Sequence, residues 1–196
     1  MGIRLIVAGS REYPAIRATT IHAVLSPYLK DVNKNNSDQY ILVHGACPPR
    51  RNRDGGIIAG FDYFAAKFWV EQGGTCEPYP ADWARECDKN CTHKQVNNGF
   101  CPAAGPRRNQ LMADLGGNEC LGFPWFDNGV RSSGTLDMMG RANAARILTH
   151  RIKSNGYKER YTGAAPQIVP TMWPIKPPDD RPSHLRPFLP PEIEAP

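Results

Sequence analysis

The fold is decided by residues 3–11, which read IRLIVAGSR. Residues 3–8 are nearly continuous in apolar character and rich in β-branched side chains, which is typical of a buried strand in a parallel sheet. Gly9-Ser10-Arg11 follows at once and supplies a polar turn where such a strand would lead into a helix. The stretch therefore predicts the first strand and the first turn of an α/β sheet.

The same order of strand, turn and helix recurs along the chain. Short apolar runs predict further strands over residues 40–44, 75–79 and 120–123. Apolar residues at helical spacing predict helices over residues 16–29, 61–72, 104–115 and 134–147. The segment after residue 147 is ambiguous, with an edge strand near residues 157–161 as one interpretation. The alternation predicts an α/β fold, a Rossmann-like parallel sheet flanked by helices with right-handed crossovers.

Two segments depart from this pattern. Residues 46–60 are rich in Pro, Arg and Gly and predict a long irregular loop, which is either solvated or a basic flap over phosphates. Residues 163–196 contain ten of the 19 prolines and no apolar periodicity, which predicts an extended proline-rich tail, or else an arm over a partner subunit. A single domain is therefore expected at residues 1–162 of the 196-residue chain.

Composition disfavours several classes of protein. No apolar run approaches the roughly 18 residues of a membrane span, and we expect no membrane partner. The sequence shows no basic leader with a cleavage site, which predicts a cytoplasmic location. The net charge of +5 suits an anionic small molecule and does not call for nucleic acid.

The predicted turns carry residues that suit an anionic ligand. Backbone N–H groups at helix N-termini attract phosphate, and the carboxyl ends of parallel strands meet at one edge of a sheet. Arg11 and Arg108 could bind phosphate, while Asp62 either caps a helix or receives ligand hydroxyl groups. Ser133-Gly134-Thr135 is either a phosphate cradle or an ordinary helix cap. The candidate ligand-binding residues are Gly9, Ser10, Arg11, His44, Gly45, Asp62, Arg108, Asn109, Ser133, Gly134 and Thr135.

Four potential metal ligands lie close together in the sequence, namely Cys87, Cys91, His93 and Cys101. The spacing C-x3-C-x-H-x7-C supplies ligand types that zinc prefers, on a segment with few apolar residues to fold it. Four protein ligands would close the coordination shell, which predicts a structural zinc knuckle inserted at residues 84–102. Buried thiols or a disulfide are the alternatives. The remaining thiols are interpreted as inert and in or near the core: Cys47, Cys76 and Cys120.

A set of short segments also occurs in a fixed order along residues 3–147. The segments are Gly9-Ser10-Arg11, His44-Gly45, Gly60-Phe61-Asp62, Pro80-Ala81-Asp82-Trp83, Ala104-Gly105-Pro106-Arg107-Arg108-Asn109-Gln110 and Gly134-Thr135. Together they resemble the YspA-like branch of the SLOG superfamily, which is common in actinobacteria and their phages. The resemblance implies a Rossmann-like fold that binds nucleotides or their derivatives, forms homo-oligomers, and resides in the host cytoplasm if phage-encoded.

Phosphoribohydrolases of that superfamily carry the motif P-G-G-x-G-T-x-x-E, in which the Glu helps to cleave a ribose–base bond and is paired with an Arg. Gly134 and Thr135 match the G-T, and Arg108 resembles that Arg. Met138 stands where the Glu would be, which removes the expected acid or base. The first hypothesis is therefore binding without hydrolysis, by a protein that senses or sequesters a nucleotide, NAD-like or ADP-ribose-like molecule in phage–host conflict.

Two alternatives belong to other classes of function. The first is a hydrolase, an N-glycosidase that acts on a nucleoside monophosphate or NAD, with another carboxylate in place of the missing Glu. The candidates for that carboxylate are Asp137, Asp82 and Glu12. The second is nucleic-acid binding, as in the related DNA-uptake protein DprA, which the modest net charge disfavours.

Overall fold

The structure, a computed structural model, describes residues 2–29, 40–85, 87, 91, 101–125 and 132–163. The strands are β1 (Ile3–Gly9), β2 (Tyr40–His44), β3 (Arg50–Arg51), β4 (Ile57–Ala59), β5 (Thr75–Pro78), β6 (Glu119–Phe123), β7 (Leu148–Ile152) and β8 (Lys158–Arg160). The α-helices are α1 (Ala18–Leu29), α2 (Phe61–Glu71), α3 (Ala104–Asp114) and α4 (Ser133–Ala144). None of the helices in these ranges is both long enough and apolar enough to cross a membrane.

Six strands form one sheet in the order β5-β2-β1-β6-β7-β8. The first five are parallel, and β8 pairs with β7 in the antiparallel sense. The chain moves outward from β1 through β2 to β5, then crosses to the other side of β1 and continues outward through β6 and β7. This order confirms the predicted Rossmann-like α/β fold. It also creates a topological switch point between β1 and β6, where open α/β sheets bind their ligands.

The β1 strand shows why the sheet is buried on both faces. Leu5 and Val7 point into a core cluster with residues of α1 and α2, whereas Ile6 points into a second cluster with residues of α3 and α4. All three side chains are fully buried. Because successive side chains of a strand alternate between faces, a sheet covered by helices on both sides requires an unbroken apolar run.

Most predicted elements are confirmed with shifts of one or two residues, but the end of the last helix is wrong. The prediction extended the helix to residue 147, whereas α4 ends at Ala144 and β7 begins at Leu148. Arg146 adopts a left-handed φ of 63°, and the N–H of Ile147 donates to the carbonyl of Ala142 at 2.9 Å. This geometry is a Schellman motif, whose left-handed position usually carries glycine. With arginine there, the sequence gives no stop signal.

The segment predicted as a long irregular loop is also corrected. Within residues 46–60, β3 and β4 pair as an antiparallel hairpin. Pro14 bridges Ala59, and the N–H of Gly60 donates to the carbonyl of Tyr13 at 2.9 Å. The hairpin is therefore attached to the turn that follows β1, at the carboxyl edge of the sheet.

Candidate functional site

Ser10 joins the ends of β1 and β6 at the switch point. Its N–H donates to the carbonyl of Phe123 at 3.3 Å, and its own carbonyl accepts from the N–H of Tyr13 at 3.0 Å and of Phe61 at 3.2 Å. Its hydroxyl accepts from the N–H of Glu12 at 3.1 Å. Ser10 is buried, so it fixes the shape of the turn instead of presenting a free hydroxyl to solvent.

The turn after β1 leaves one cation exposed. The Arg11 side chain is exposed, and within the described part of the chain it makes no hydrogen bond or ion pair. A β-carbon at Gly9 would collide with the ring of Phe61, so this glycine is explained by packing. As far as the described residues define it, the depression bordered by Arg11, Gly9 and Asp62 encloses no volume that a water molecule could occupy. A ligand would therefore lie across this edge and not inside a cavity.

His44 and Asp62 organise the segment that follows β2. The Nδ1 atom of His44 accepts from the N–H of Ala46 at 3.1 Å, and the Oδ2 atom of Asp62 accepts from the N–H of Cys47 at 2.9 Å. Both side chains are buried. Burial lowers the pKa of His44 below its ordinary value, opposed by the nearby Asp62 charge and assisted by Arg108. The imidazole is therefore neutral, and Asp62 anchors the start of the hairpin segment.

Arg108 joins the segments that follow β2 and β5. Its guanidinium donates to the carbonyl of Gly45 and, at 3.0 Å, to the carbonyl of Tyr79, while its Nε atom donates to Asn109 at 2.8 Å. A β-carbon at Gly45 would occupy the space of this guanidinium. Carbonyl groups do not neutralise the guanidinium, so Arg108 keeps its positive charge at the carboxyl edge.

Asn109 links α3 to the start of α4. Its side-chain amide donates to the carbonyl of Gly134 at 3.1 Å and to Oδ2 of Asp137 at 2.8 Å. The same carboxylate oxygen accepts from Nε of Arg141 at 2.9 Å. Asn109 and Asp137 are both buried. Asp137 is thus committed to a structural pair, a role that the sequence pattern did not reveal because its partners come from two helices.

The N-terminus of α4 contains an unsatisfied hydroxyl. Thr135 is 3% exposed, and within the described residues its Oγ1 atom has no hydrogen-bond partner. A buried polar group without a partner costs about 1–3 kcal/mol, so such groups are rare without a reason. No side chain of the described residues caps this helix, and the position of Gly134 is open to solvent. The first turn therefore combines helix-dipole potential with a hydroxyl that lacks an acceptor or donor.

Ser132, which precedes the first turn of α4, is bonded to the end of the segment that follows β6. Its hydroxyl donates to the carbonyl of Trp125 at 2.6 Å and accepts from the N–H of Trp125 at 2.7 Å. The Trp125 ring lies edge-on to Tyr13 with centroids 5.7 Å apart, and the Arg17 guanidinium lies 5.9 Å from its centroid. The end of β6 and the start of α4 are therefore held together, with a half-buried aromatic ring beside the switch point.

A second candidate site is the cysteine cluster. The Sγ atoms of Cys87, Cys91 and Cys101 all lie within 4.8 Å of one another, and those of Cys91 and Cys101 are 3.9 Å apart. The Arg107 guanidinium donates to Cys91 at 2.9 Å and to Cys101 at 3.7 Å. Three converging sulfur atoms could hold a metal ion. The fourth predicted ligand, His93, lies outside the described residues.

The three predicted catalytic carboxylates do not meet at one site. Glu12 forms an ion pair with Arg50 of β3, and Asp82 is exposed beyond the end of β5. Asp137 is paired with Arg141, as described above.

Burial raises the pKa of Cys76 and of Cys120 to about 12, which agrees with inert thiols.

An ionic cluster at the amino edge of the sheet was missed by sequence reasoning. The carboxylate of Glu119 accepts from the hydroxyl of Tyr28 at 2.6 Å and from Nζ of Lys158 at 3.0 Å, and it lies 2.7 Å from Nδ1 of His150. Although burial opposes the shift, these contacts hold the pKa of Glu119 below its ordinary value. The cluster joins α1 to the last three strands, at the edge opposite the candidate site.

Comparisons of this chain with known protein families, with curated proteins and with solved structures found no match.

Proposed function

We propose that the chain binds a nucleotide-like anion at the carboxyl edge of the sheet, across the switch point between β1 and β6. The observation that carries the proposal is the buried Thr135 hydroxyl in the first turn of α4, which has no hydrogen-bond partner among the described residues. A phosphate oxygen placed at this helix N-terminus would accept from backbone N–H groups and, because the Thr135 Oγ1 atom is covered in the structure, from the Thr135 hydroxyl once that side chain turns outward.

The charges along this edge support an anionic ligand. Arg11 is exposed beside the end of β1, and Arg108 carries its charge between the ends of β2 and β5. Glu12, an acidic group in the same turn as Arg11, is already paired with Arg50. The His44 imidazole, which burial keeps neutral, contributes no charge. Asp62 and Asp82 lie along the same edge, so the proposal rests on the two guanidinium groups as local binding groups for phosphate and not on a net positive charge.

Binding without hydrolysis is the version that the contacts favour. An acid or base for cleavage of a ribose–base bond must be able to reach the reacting atoms. Asp137 is buried and engaged by Asn109 and Arg141, and Glu12 is engaged by Arg50. Of the three candidates, Asp82 alone has no ion pair within the described residues, and it lies beyond the end of β5, away from the first turn of α4. The proposed role is therefore a sensor or sequestering protein for a nucleotide or an ADP-ribose-like molecule. Its membership of the SLOG superfamily, its part in phage–host conflict, its cytoplasmic location and its homo-oligomeric state belong to the same proposal.

The proposal includes a structural zinc ion at the cysteine cluster. Tetrahedral zinc with Zn–S bonds of 2.3 Å separates its sulfur ligands by about 3.8 Å. The 3.9 Å between the sulfur atoms of Cys91 and Cys101 fits this value. Cys87 would supply the third ligand and His93 the fourth. Zinc analysis of protein purified without a histidine tag tests this part, and a content below about 0.2 zinc per chain contradicts four-ligand binding.

Calorimetric titration of the full chain with AMP, ADP, NAD and ADP-ribose tests the proposed binding. We expect saturable binding of at least one of these ligands, weakened roughly tenfold or more by Arg11→Gln, because an ion-paired hydrogen bond contributes about 1.5–3 kcal/mol. Lys67→Gln, which removes an exposed cation on α2, is the matched control and should leave the affinity unchanged. Absence of binding at millimolar concentrations of all four would contradict the proposal.

Chromatography of the same mixtures separates binding from hydrolysis. Under the proposed function, NAD and AMP remain intact after prolonged incubation. If the unmodified chain released free base and the Asp137→Asn variant did not, the result would instead support the N-glycosidase alternative.

A further inference from the structure

Three consecutive side chains near the N-terminus of α3 contact three different parts of the molecule. Arg107 donates to the thiols of the cysteine cluster, Arg108 donates to the carbonyls that end β2 and β5, and Asn109 donates to the first turn of α4. Successive side chains of an α-helix point about 100° apart, so three consecutive residues can contact three different neighbouring structures. The cysteine cluster and the carboxyl edge of the sheet are therefore connected through a single helical segment.

We infer that metal loading of the cysteine cluster controls the geometry and affinity of the anion site through residues 107–109 of α3. The inference rests on the proposed function for the identity of the controlled site. The transmitted change itself is a property of the protein and can be measured without a ligand.

The cysteine cluster is attached closely to the start of α3. Cys101 is fully buried, its N–H donates to the carbonyl of Trp83 at 3.1 Å, and its carbonyl accepts from the N–H of Ala104 at 3.0 Å. Ala104 is the first residue of α3. A metal ion that fixes the Cys101 sulfur therefore fixes the backbone at the helix start. Arg107 adds a second attachment, because its guanidinium contacts both Cys91 and Cys101.

The Arg107 guanidinium also suits the charge of a loaded centre. Three thiolates and one divalent cation carry a net charge of −1, which one guanidinium neutralises. Residues that hydrogen-bond to metal ligands typically contribute roughly 10- to 100-fold to metal affinity. Arg107 is therefore assigned as a positioning residue that couples the ion to α3.

Asn109 and Arg108 attach α3 closely to the proposed anion site. Asn109 is buried and has a short side chain, and its amide holds both the Gly134 carbonyl and the Asp137 carboxylate. These contacts set where the first turn of α4 lies relative to α3. The Arg108 guanidinium fills the space beside Gly45, so a shift of α3 also displaces the segment after β2. Movement of the α3 N-terminus would thus alter two walls of the anion site together.

Amide hydrogen exchange on the full chain, loaded with Zn²⁺ or stripped by a chelator, tests the coupling directly. We expect stripping to accelerate exchange at residues 46–47 and 136–138 by about fivefold or more, the lower limit of typical coupling between sites. The amide of Lys153, which donates to Tyr157 in the β7–β8 hairpin, serves as the remote control and should not change. Equal exchange at residues 136–138 in the two forms would overturn the inference.

Two variants separate the metal centre from the connection. Arg107→Gln should lower Zn²⁺ affinity roughly 10- to 100-fold in a chelator competition. Asn109→Ala should leave Zn²⁺ affinity unchanged but abolish the response of residues 136–138 to the metal. Leu111→Ala, which shortens a largely exposed side chain on the same helix, should preserve both properties. A metal response that persists in Asn109→Ala would contradict transmission through this side chain.

ADP titrations of the loaded and stripped forms distinguish this inference from the proposed function. If loaded protein binds ADP about tenfold more tightly than stripped protein, both stand. Equal ADP affinity in the two forms overturns the inference but leaves the proposed function intact. If neither AMP, ADP, NAD nor ADP-ribose binds either form, the proposed function fails, and the exchange response alone decides whether the metal sets the geometry of this edge.

Discussion

The guanidinium of Arg108 fills the space that a β-carbon at Gly45 would need, and it donates to the Gly45 carbonyl. These residues are 63 positions apart in the sequence. The glycine that follows β2 is therefore explained by a helix side chain that packs against it, and this contact ties α3 to the carboxyl edge of the sheet.

Substitution of Gly45 by alanine should destabilise the protein. The added methyl group must displace Arg108, and overpacking of this kind costs about 1–3 kcal/mol. Urea denaturation would measure the loss of unfolding free energy. Gly134→Ala is the matched control because nothing lies within 4 Å of its added β-carbon, and it should be neutral or slightly stabilising. Equal stability of Gly45→Ala and the unmodified chain would contradict the packing assigned to Arg108.

Thr135→Val should stabilise the chain while it weakens anion binding. Valine keeps the shape of the side chain and removes a buried hydroxyl that has no partner in the described part of the chain, so the unfolding free energy should rise by about 1 kcal/mol. Thermal denaturation and an ADP titration would be made on the same variant. Thr135→Ser keeps the hydroxyl and should retain ADP binding. A Thr135→Val protein that is less stable and binds ADP as well as the unmodified chain would show that the hydroxyl has a structural partner.

Stability should fall as the pH drops below about 6.5, in part because of His44. Burial lowers the pKa of His44 from its ordinary value of 6.5, so the unfolded chain binds a proton that the folded chain resists. The contribution is therefore present above pH 6.5 and is lost as the pH falls toward the folded-state pKa. His44→Asn keeps an acceptor for the Ala46 N–H and should flatten this part of the stability profile. An identical slope in the variant would assign the dependence to another group.

Glu119 should govern stability in a more acidic range. Its pKa lies below the ordinary value of 4.5, despite burial, because Tyr28 and Lys158 hydrogen-bond to the carboxylate. The contribution of this group is present above pH 4.5 and is lost as the pH falls through the folded-state pKa. Glu119→Gln should be less stable at pH 7, with the difference shrinking toward pH 3. A difference independent of pH would indicate that packing, and not charge, accounts for the loss.

The sheet could be predicted because its information is local. The apolar run of β1 and the glycine turn after it determine a buried parallel strand without reference to distant residues. In α3, Leu111 and Leu115 are 48% and 50% exposed, whereas Met112 between them is buried. Helical spacing alone does not reveal which face of α3 meets the sheet.

The contacts of the candidate site could not be predicted in the same way. Asn109 meets residues of α4, and Glu119 meets side chains from three other elements. Such pairs depend on how helices and strands pack, which no local pattern records. The cysteine spacing is the exception, because a metal site in a short segment leaves its ligands close together in the sequence.

Nuclear magnetic resonance of ¹⁵N-glycine-labelled protein during titration with ADP tests the central claim most directly. The account predicts that the amide signal of Gly134, at the N-terminus of α4, and that of Gly9, at the end of β1, shift with saturation. The signals of Gly73 and Gly116, which follow α2 and α3 at the opposite edge, should stay in place. Shifts confined to Gly73 or Gly116, with Gly9 and Gly134 unmoved, would contradict an anion site at the switch point.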